Sequence, residues 1–525
     1  MRAKQIAHMS QHKFDEFALR LHGTDNVAVL KRPLQAGAEL LNGTLHLTAT
    51  AHIAPGHKIA LAEIADGQPV RKYGQTIGFA RGRIAPGDHV HTHNVDMRDF
   101  NRDYQFCSEA GPVSYYPADQ MRHFQGYARS NRGVGTRNYL AVISSVNCSA
   151  SVSRFVVEKF KGPDLARDFP NVDGVLAFTH KGGCALDPGE ALKLLQRVFL
   201  GMARHPNIAG YVMIGLGCEV NQVQALRQEL EPGQGTGGTN APVFMNIQNQ
   251  GGARKTVEAA AAAVAKLLPV AQTARRSPQP ISKLILAENC GGSDGNSGIT
   301  ANPALGVASD ELVRYGGTSV LAETTEIYGA EHLLTRRAVS REVGEKLVRI
   351  VHWWEDHVRL HGMTIDNNPS PGNKEGGLTT IYEKSLGAVA KGGQSPLAAV
   401  YQYADAVTAQ GLCFMDTPGH DPVSMTGLVA GGCNIGVFTT GRGSVYGCKP
   451  TPCIKVATNS ALYNWMQEDM DINAGTILEG TETVEQVGRR IFEKIIAVAS
   501  GERTKSELAG MGDEEFAPWH LGPTF

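Results

Sequence analysis

The chain has 525 residues, enough for about two to four domains that each bury their own core. Hydrophobic residues make up 42% and charged residues 19%, and the formal net charge is -1, which excludes a field that would draw the protein to nucleic acid or an anionic membrane. No apolar run reaches the ~18 residues of a membrane span, residues 1–14 lack the apolar segment of a secretory signal, and nine cysteines without such a signal read as reduced thiols of a cytoplasmic protein.

Residues 14–98 hold short alternating segments such as Leu45-His-Leu-Thr and Lys58-Ile-Ala-Leu. Pro-Gly or Asp-Gly pairs break them at 55–56, 66–67 and 86–87, the punctuation of a small β-rich module with hairpin turns. His89, His91 and His93 alternate, so on a strand all three would face one side. Such a row suits a divalent metal or an anionic substrate, and a solvated strand face equally well. His57, after Pro-Gly, stands singly and reads as a capped or core histidine as readily as a ligand. Residues 99–128 are polar and aromatic and read as a linker over the surface.

From 129 to 275 apolar strand candidates at 140–143, 175–178, 212–215 and 243–246 alternate with helical stretches at 150–161, 189–203 and 253–268. Strands alternating with helices predict a largely parallel sheet covered on both faces. Cysteines follow these strands: Cys148 in Val-Asn-Cys-Ser, Cys184 in His180-Lys-Gly-Gly-Cys, and Cys218 in Gly-Leu-Gly-Cys-Glu. With Cys290 further on, they would converge on one sheet edge, where thiolates could hold iron or an iron–sulfur cluster. The alternative is that each is a small buried hydrophobe. His180 is a further possible ligand or a core histidine. Gly233-Gln-Gly-Thr-Gly-Gly238 matches G-x-G-x-x-G but follows a helix and precedes a strand, the reverse of the dinucleotide context.

Residues 273–282, rich in Arg, Ser and Pro, mark a boundary, and 280–525 is again α/β with longer glycine-laden loops. The expected architecture is thus α/β overall: a small N-terminal β-rich domain, then two α/β regions with largely parallel sheets. The most informative run is Leu-Ala-Glu-Asn-Cys-Gly-Gly-Ser-Asp-Gly-Asn-Ser-Gly-Ile-Thr-Ala-Asn-Pro (286–303), in which an apolar strand empties into a cysteine, two glycines and a cluster of small polar groups. Cys290, Ser293, Asp294 and Asn302 offer ligands and donors there. Asn-Pro-Ser-Pro-Gly-Asn-Lys (368–374) and Thr-Thr-Gly-Arg (439–442) each place one cation among glycines, hydroxyls and amides. Lys374 or Arg442 could hold a carboxylate there, with Asn373 and Thr440 beside it. Cys448 and Cys453 lack a second pair and are weak as a zinc motif.

Several of these motifs carry a resemblance. Lys-Tyr-Gly-Gln-Thr-Ile-Gly (72–78), Gly-Leu-Gly-Cys-Glu (215–219), Cys-Gly-Gly-Ser-Asp (290–294), Thr-Ala-Asn-Pro (300–303), Asn-Pro-Ser-Pro-Gly-Asn-Lys (368–374), Thr-Gly-Arg-Gly (440–443) and Asp-Ile-Asn-Ala-Gly (471–475) resemble the altronate/galactarate dehydratase family. The resemblance runs from about residue 20 nearly to the C-terminus. It implies an N-terminal SAF-type domain at 14–98, a catalytic C-terminal domain at 280–525, and a sugar-acid hydro-lyase dependent on divalent metal. Ferrous iron is the expected cofactor, with manganese or an iron–sulfur cluster as alternatives. The partner would be a small sugar acid, and the assembly a homo-oligomer, a dimer in the simplest form. The segments at 89–94, 217–222 and 327–331 look more like the altronate branch, whereas Met415-Asp-Thr-Pro-Gly-His is similar to the sulfolactate sulfo-lyases. Galactarate dehydratase is the other reading.

Dehydration of an aldonate removes the proton alpha to the carboxylate and expels the 3-hydroxyl, so stabilisation is needed where charge develops on the carboxylate. Arg442 or Lys374 would clamp it, with Lys374 the base to test first if Arg442 is the clamp. Asp294 or Glu323 would complete the metal or base set, with Cys290, Cys148, Cys184, Cys218 and His180 as possible metal ligands. Ser293, Asn302, Asn373, Thr440, His89 and His91 would contact substrate, the histidines from a lid-like face of the small domain. A non-catalytic sugar-acid sensor and a nicotinamide-linked oxidoreductase are the competing classes.

Overall fold

The computed structural model describes residues 10–521 except 101, 131–132, 187 and 231–241. The G-x-G-x-x-G decoy lies outside the described residues. An N-terminal β module is followed by two α/β regions.

In the module, Ala18–Leu19, Val27–Leu30, Lys58–Ala60 and His89–Val90 form a four-stranded antiparallel sheet in that order. Leu30, Leu40, Leu47, Ile53 and Ile59 fill its core. The histidine row differs from the sequence expectation, because the strand ends at Val90. The Asn94 side chain accepts from the His91 N–H (2.9 Å) and donates to the His89 carbonyl (3.0 Å), which turns the chain there.

The middle region is a four-stranded parallel sheet built from β1 (Tyr139–Ser144), β2 (Gly174–Phe178), β3 (Ile208–Gly215) and β4 (Val243–Asn246), in the order β2-β1-β3-β4. All of β1 is buried because both its faces are covered. Leu140 and Val142 pack with Val156 and Val264 of helices Ala150–Glu158 and Ala253–Gln272. Ala141 and Ile143 point the other way, toward Leu194, Val198 and Met202 of helix Glu190–Arg204. The expected linker is not free over its whole length. His123–Ala128 pairs antiparallel with Ser277–Pro280, so two stretches that read as connections in the sequence are zipped together.

The C-terminal region holds a seven-stranded sheet: β5 (Ile285–Cys290), β6 (Thr318–Leu321), β7 (Leu397–Tyr401), β8 (Gly411–Met415), β9 (Ile435–Thr440), β10 (Cys453–Ala457) and β11 (Ile472–Asn473). Every pairing is parallel, and the order is β7-β8-β6-β5-β9-β10-β11. From β5 the chain builds outward on one side through β6 and later on the other through β9. The carboxyl end of β5 is therefore the topological switch point, where such sheets open a crevice for ligands. Cys290 ends β5 and sits there. Among the described residues, no helix is long and apolar enough to cross a membrane.

Candidate active site

Five side chains meet without solvent exposure or nearly so beyond β5: Cys290, Glu323, Glu326, Lys384 and Lys391. Glu323 follows β6 with a left-handed backbone (φ 70°, ψ 70°), a conformation that a side chain of this size adopts only under constraint. One of its oxygens, Oε2, accepts from Lys391 Nζ (2.8 Å) and the Cys290 N–H (3.2 Å), while Oε1 is buried without a partner. Lys391 Nζ also lies 3.0 Å from Cys290 Sγ. Lys384 donates to Glu326 Oε1 (2.6 Å) and to Asn368 Oδ1 (2.8 Å).

Asp421 completes the group at the start of helix Asp421–Ala430. Asn289 donates to it at 3.3 Å, and only a glycine at 291 lets the backbone pass, because a Cβ there would lie 2.2 Å from Asp421 Oδ2. Burial, and then the neighbouring Glu326, push the Glu323 carboxyl up. Burial followed by Glu323 and Glu326 does the same to Asp421. Burial pushes the Cys290 thiol up to about 12, which keeps it protonated near neutrality. Burial opposes the charge on Lys391, but Cys290, Glu323 and Glu326 outweigh it and hold the ammonium charged. Ser293 Oγ, Asn289 Oδ1 and Thr325 Oγ1 are buried without partners as well, a reserve of hydrogen-bonding capacity suited to a polyhydroxylated ligand.

A second group comes from the N-terminal module. His57, His89 and His91 each offer a ring nitrogen within 4.8 Å of the others. Burial, with Lys58 and neighbouring imidazoles adding to it, lowers His89 to about 4 and His91 to about 3, so both are neutral at pH 7. His57 Nε2 lies 3.0 Å from the Glu375 carbonyl and its Nδ1 3.0 Å from His89 Nε2, which ties the trio to the C-terminal region. Next to it, fully buried Glu383 accepts from Lys58 Nζ (2.8 and 3.0 Å) and Lys72 Nζ (2.9 Å). Helix Ile381–Val389 thus holds the module through Glu383 and the buried centre through Lys384.

A cleft of about 940 Å³ lies between the module and the C-terminal region, with Arg442, Glu375, Asp294 and Asn296 on one wall and Lys31 and Arg32 on the other. Residues 291–296 run from the buried centre to this cleft.

The residues singled out from sequence fall into different roles. Glu323 and Cys290 are in the buried centre, and Ser293 is on the loop that leaves it. Arg442 lines the cleft, half-exposed and 3.3 Å from Glu375, and Lys374 is on the adjoining helix Pro371–Glu375. Asp294 is not a free base: its carboxylate accepts from Ser297 Oγ, the Asn296 N–H and side chain, Thr458 Oγ1 and Asn459 Nδ2, which organise the loop. Asn302 is likewise spent, donating to the Gly387 carbonyl and accepting from Thr439 Oγ1. Asn373 caps its own helix and donates to the Ser293 carbonyl, and Thr440 Oγ1 accepts from the Gly443 N–H. Convergence of four cysteines on one edge is corrected: Cys148, Cys184 and Cys218 belong to the middle sheet and Cys290 to the C-terminal one. His180 is also no open ligand, because Nε2 lies 3.0 Å from the Ser144 carbonyl and Nδ1 accepts from the Gly182 N–H.

Glu326, Lys384, Lys391 and Asp421 escaped the sequence reading. A signal existed for the lysines: Ile381-Tyr-Glu-Lys-Ser-Leu-Gly-Ala-Val-Ala-Lys391 is an otherwise apolar, small-residue run with three interior charges. Charges in a run that packs on every side demand partners.

Two buried carboxyls with raised proton affinity thus lie among ammonium groups and unpartnered hydrogen-bonding atoms, an arrangement suited to proton transfer beside an anion. Comparison with known proteins gives the family. Residues 16–98 match the altronate/galactarate dehydratase SAF domain. Residues 126–272 match the D-galactarate dehydratase/altronate hydrolase second domain, and 281–524 the D-galactarate/altronate dehydratase C-terminal domain. Altronate dehydratase of Escherichia coli (strain K12) is 36% identical over 93% of this chain and 96% of its own. Altronate dehydratase of Bacillus subtilis (strain 168) is 34% identical over the same shares. Galactarate dehydratase (L-threo-forming) of Escherichia coli is 37% identical over 95% of this chain and 96% of its own. The chain belongs to the galactarate/altronate dehydratase family and is a sugar-acid dehydratase.

Proposed function

We propose that the chain dehydrates altronate to 2-keto-3-deoxygluconate and water. The observation that carries the mechanism is the unpartnered Glu323 Oε1 beside Asp421, two buried carboxyls to which we assign opposite tasks. Ionised Glu323 takes the proton from the carbon alpha to the substrate carboxylate. Lys391, and Lys384 through its pairing with Glu326, supply positive charge where the carboxylate gains electron density. Asp421, kept protonated by burial and then by Glu323 and Glu326, gives its proton to the departing 3-hydroxyl. Ser293 and Asn289 meet further hydroxyls, and Arg442 holds the substrate's outer end at the cleft.

The family implies a divalent metal, and the donor sets differ in how well they suit one. Cys290, Glu323 and Glu326 also lie within 4.8 Å of one another, but two lysine ammonium groups already neutralise them. His57, His89 and His91 fit better: neutral nitrogen donors, with His91 Nδ1 buried and unpartnered. Bound there, ferrous or manganous ion would supply Lewis-acid charge to substrate oxygens at the module interface.

Lys31 and Arg32, across the cleft from Arg442, favour a second reading, in which a substrate with a carboxylate at each end, galactarate, is taken. Keto-acid release from altronate, galactarate and sulfolactate, with protein prepared anaerobically and given ferrous iron, tests both. Turnover of altronate is expected, turnover of galactarate alone transfers the assignment to the second reading, and no turnover of any acid overturns both.

A further inference from the structure

The three cysteines of the middle region have no part in the centre described above. Cys148 lies in the short helix Asn147–Ser149 after β1, Cys184 in the loop after β2, and Cys218 in the loop after β3. Because β1 runs between β2 and β3, its loop is flanked by the other two.

The loops are bound to one another by main-chain hydrogen bonds. The Asn147 N–H donates to the Gly182 carbonyl (2.9 Å), the Val220 N–H to the Cys184 carbonyl (3.1 Å), and the Asn221 N–H to the Gly183 carbonyl (3.2 Å). The Asn221 side chain donates to the Ser145 carbonyl (2.9 Å), closing the ring between the first loop and the third. Gly183 has φ +95°, and a Cβ on it would lie 2.5 Å from the Ser145 oxygen, so only glycine lets the second loop approach the first this closely. Both Glu219 oxygens are engaged by Ser145 Oγ and the Leu216 and Gly217 N–H groups, which fixes the third loop and leaves that carboxylate unavailable as a ligand.

All three thiols are exposed and unpaired. They are close enough that, after burial, Cys184 and Cys218 are the next causes raising the Cys148 thiol. Three reduced thiols held by rigid loops around one point form a soft ligand set. Their spacing selects the occupant. A single tetrahedral ion with metal–sulfur bonds of ~2.3 Å needs its thiolates about 3.8 Å apart. Among the described residues, the three-ligand groups within 4.8 Å are the histidine trio and the Cys290 group, so these three sulfurs are spread wider. An iron–sulfur cube, with each cysteine on a different iron, accepts that wider spread.

We propose that Cys148, Cys184 and Cys218 bind a [4Fe–4S] cluster at the exposed edge of the middle sheet, one cysteine to each of three irons, with the fourth iron open to a small oxygen ligand. This inference is independent of the acid–base reading of the C-terminal centre.

The full chain is incubated anaerobically with ferric iron, sulfide and a thiol that reduces half of the iron to the ferrous state, then desalted and assayed for iron, acid-labile sulfide and visible absorption. About four irons and four sulfides per chain are expected above the content of any other site. At least a fourfold loss of sulfide is expected in each of Cys148→Ser, Cys184→Ser and Cys218→Ser, but none in Cys107→Ser. Far-UV circular dichroism and melting identify folded variants. The sites are exposed, and any one folded variant of the three decides the matter. Iron without sulfide, sulfide unchanged in a folded variant, or a disulfide among the three in air-free protein would each overturn the proposal.

Discussion

Replacing Glu383 by Gln tests the joint between the N-terminal module and the catalytic region. The side chain keeps its shape but loses the charge that two fully buried ammonium groups share, at 2.8 Å from Lys58 and 2.9 Å from Lys72. Breaking a buried ion pair by neutralising one partner costs about 3–5 kcal/mol. The variant can escape by deprotonating a lysine, and at pH 7 an ordinary lysine does so at a cost of about 4.6 kcal/mol. Lys58, which burial already lowers to about 8, would go first. Both routes lead to a loss of about 4 kcal/mol, or a fall in melting temperature of about 8–16 °C for a cooperative unit of about 150–250 residues. In wild type, Lys58 and Lys72 outweigh burial and hold Glu383 below the usual carboxylate range. Its stabilisation is therefore present above the ordinary carboxylate pKa and lost as pH falls through the folded value. The variant should show a shallower loss of stability on acidification. Differential scanning fluorimetry at pH 7 and pH 4 reads both effects, and Lys58→Met combined with Glu383→Gln should recover about half the deficit. A melting temperature within about 2 °C of wild type, or a double variant no more stable than the single one, would refute the reasoning.

Glu323→Gln should lower kcat by about 10²–10⁴-fold with the fold intact, measured as keto-acid release. Because Glu323 must be ionised and its proton affinity is raised, wild-type activity should climb with pH through a limb above the ordinary carboxylate range; Asp421, which must be protonated, should give the falling limb, and Asp421→Asn should remove that limb from the pH–rate profile. His91→Ala should weaken retention of ferrous or manganous ion by at least tenfold in equilibrium dialysis, while leaving helix content unchanged. Arg442→Ala should raise KM by about tenfold with kcat nearly kept, because in the proposed reading the half-exposed guanidinium only holds the substrate's outer end at the cleft.

The parallel sheets were legible because strands buried on both faces read as continuous apolar runs, as in residues 140–143 and 284–287. The loop at 290–297 was legible as a site from its density of glycines and small polar groups. What that loop does was less so. Asp294 looks like a base in sequence, yet five donors converge on it from residues as distant as 458 and 459. Lys384 and Lys391 look like ordinary helical charges until the helix and the turn after it, Ala390–Gly392, prove to be buried on every side. Asp421 reaches Asn289 and the backbone of Gly291 only because β9 returns beside β5 and brings helix Asp421–Ala430 across the switch point. A row of alternating histidines suggested a strand face, and the Asn94 turn made it a three-dimensional cluster with His57 instead. In each case the decisive partner lies far off in the chain.

The left-handed backbone at Glu323 has a consequence for how this protein can be improved. An L-residue with a long side chain loses about 1–2 kcal/mol in that conformation, whereas glycine does not. Two contributions to stability therefore pull in opposite directions at this position: glycine would relax the backbone, but it would leave fully buried Lys391 without the carboxylate that lies 2.8 Å from it, at a cost of about 3–5 kcal/mol. A search for stabilising substitutions guided by backbone geometry alone would choose residue 323 early and lose more at the Lys391 ion pair than it gains in the backbone.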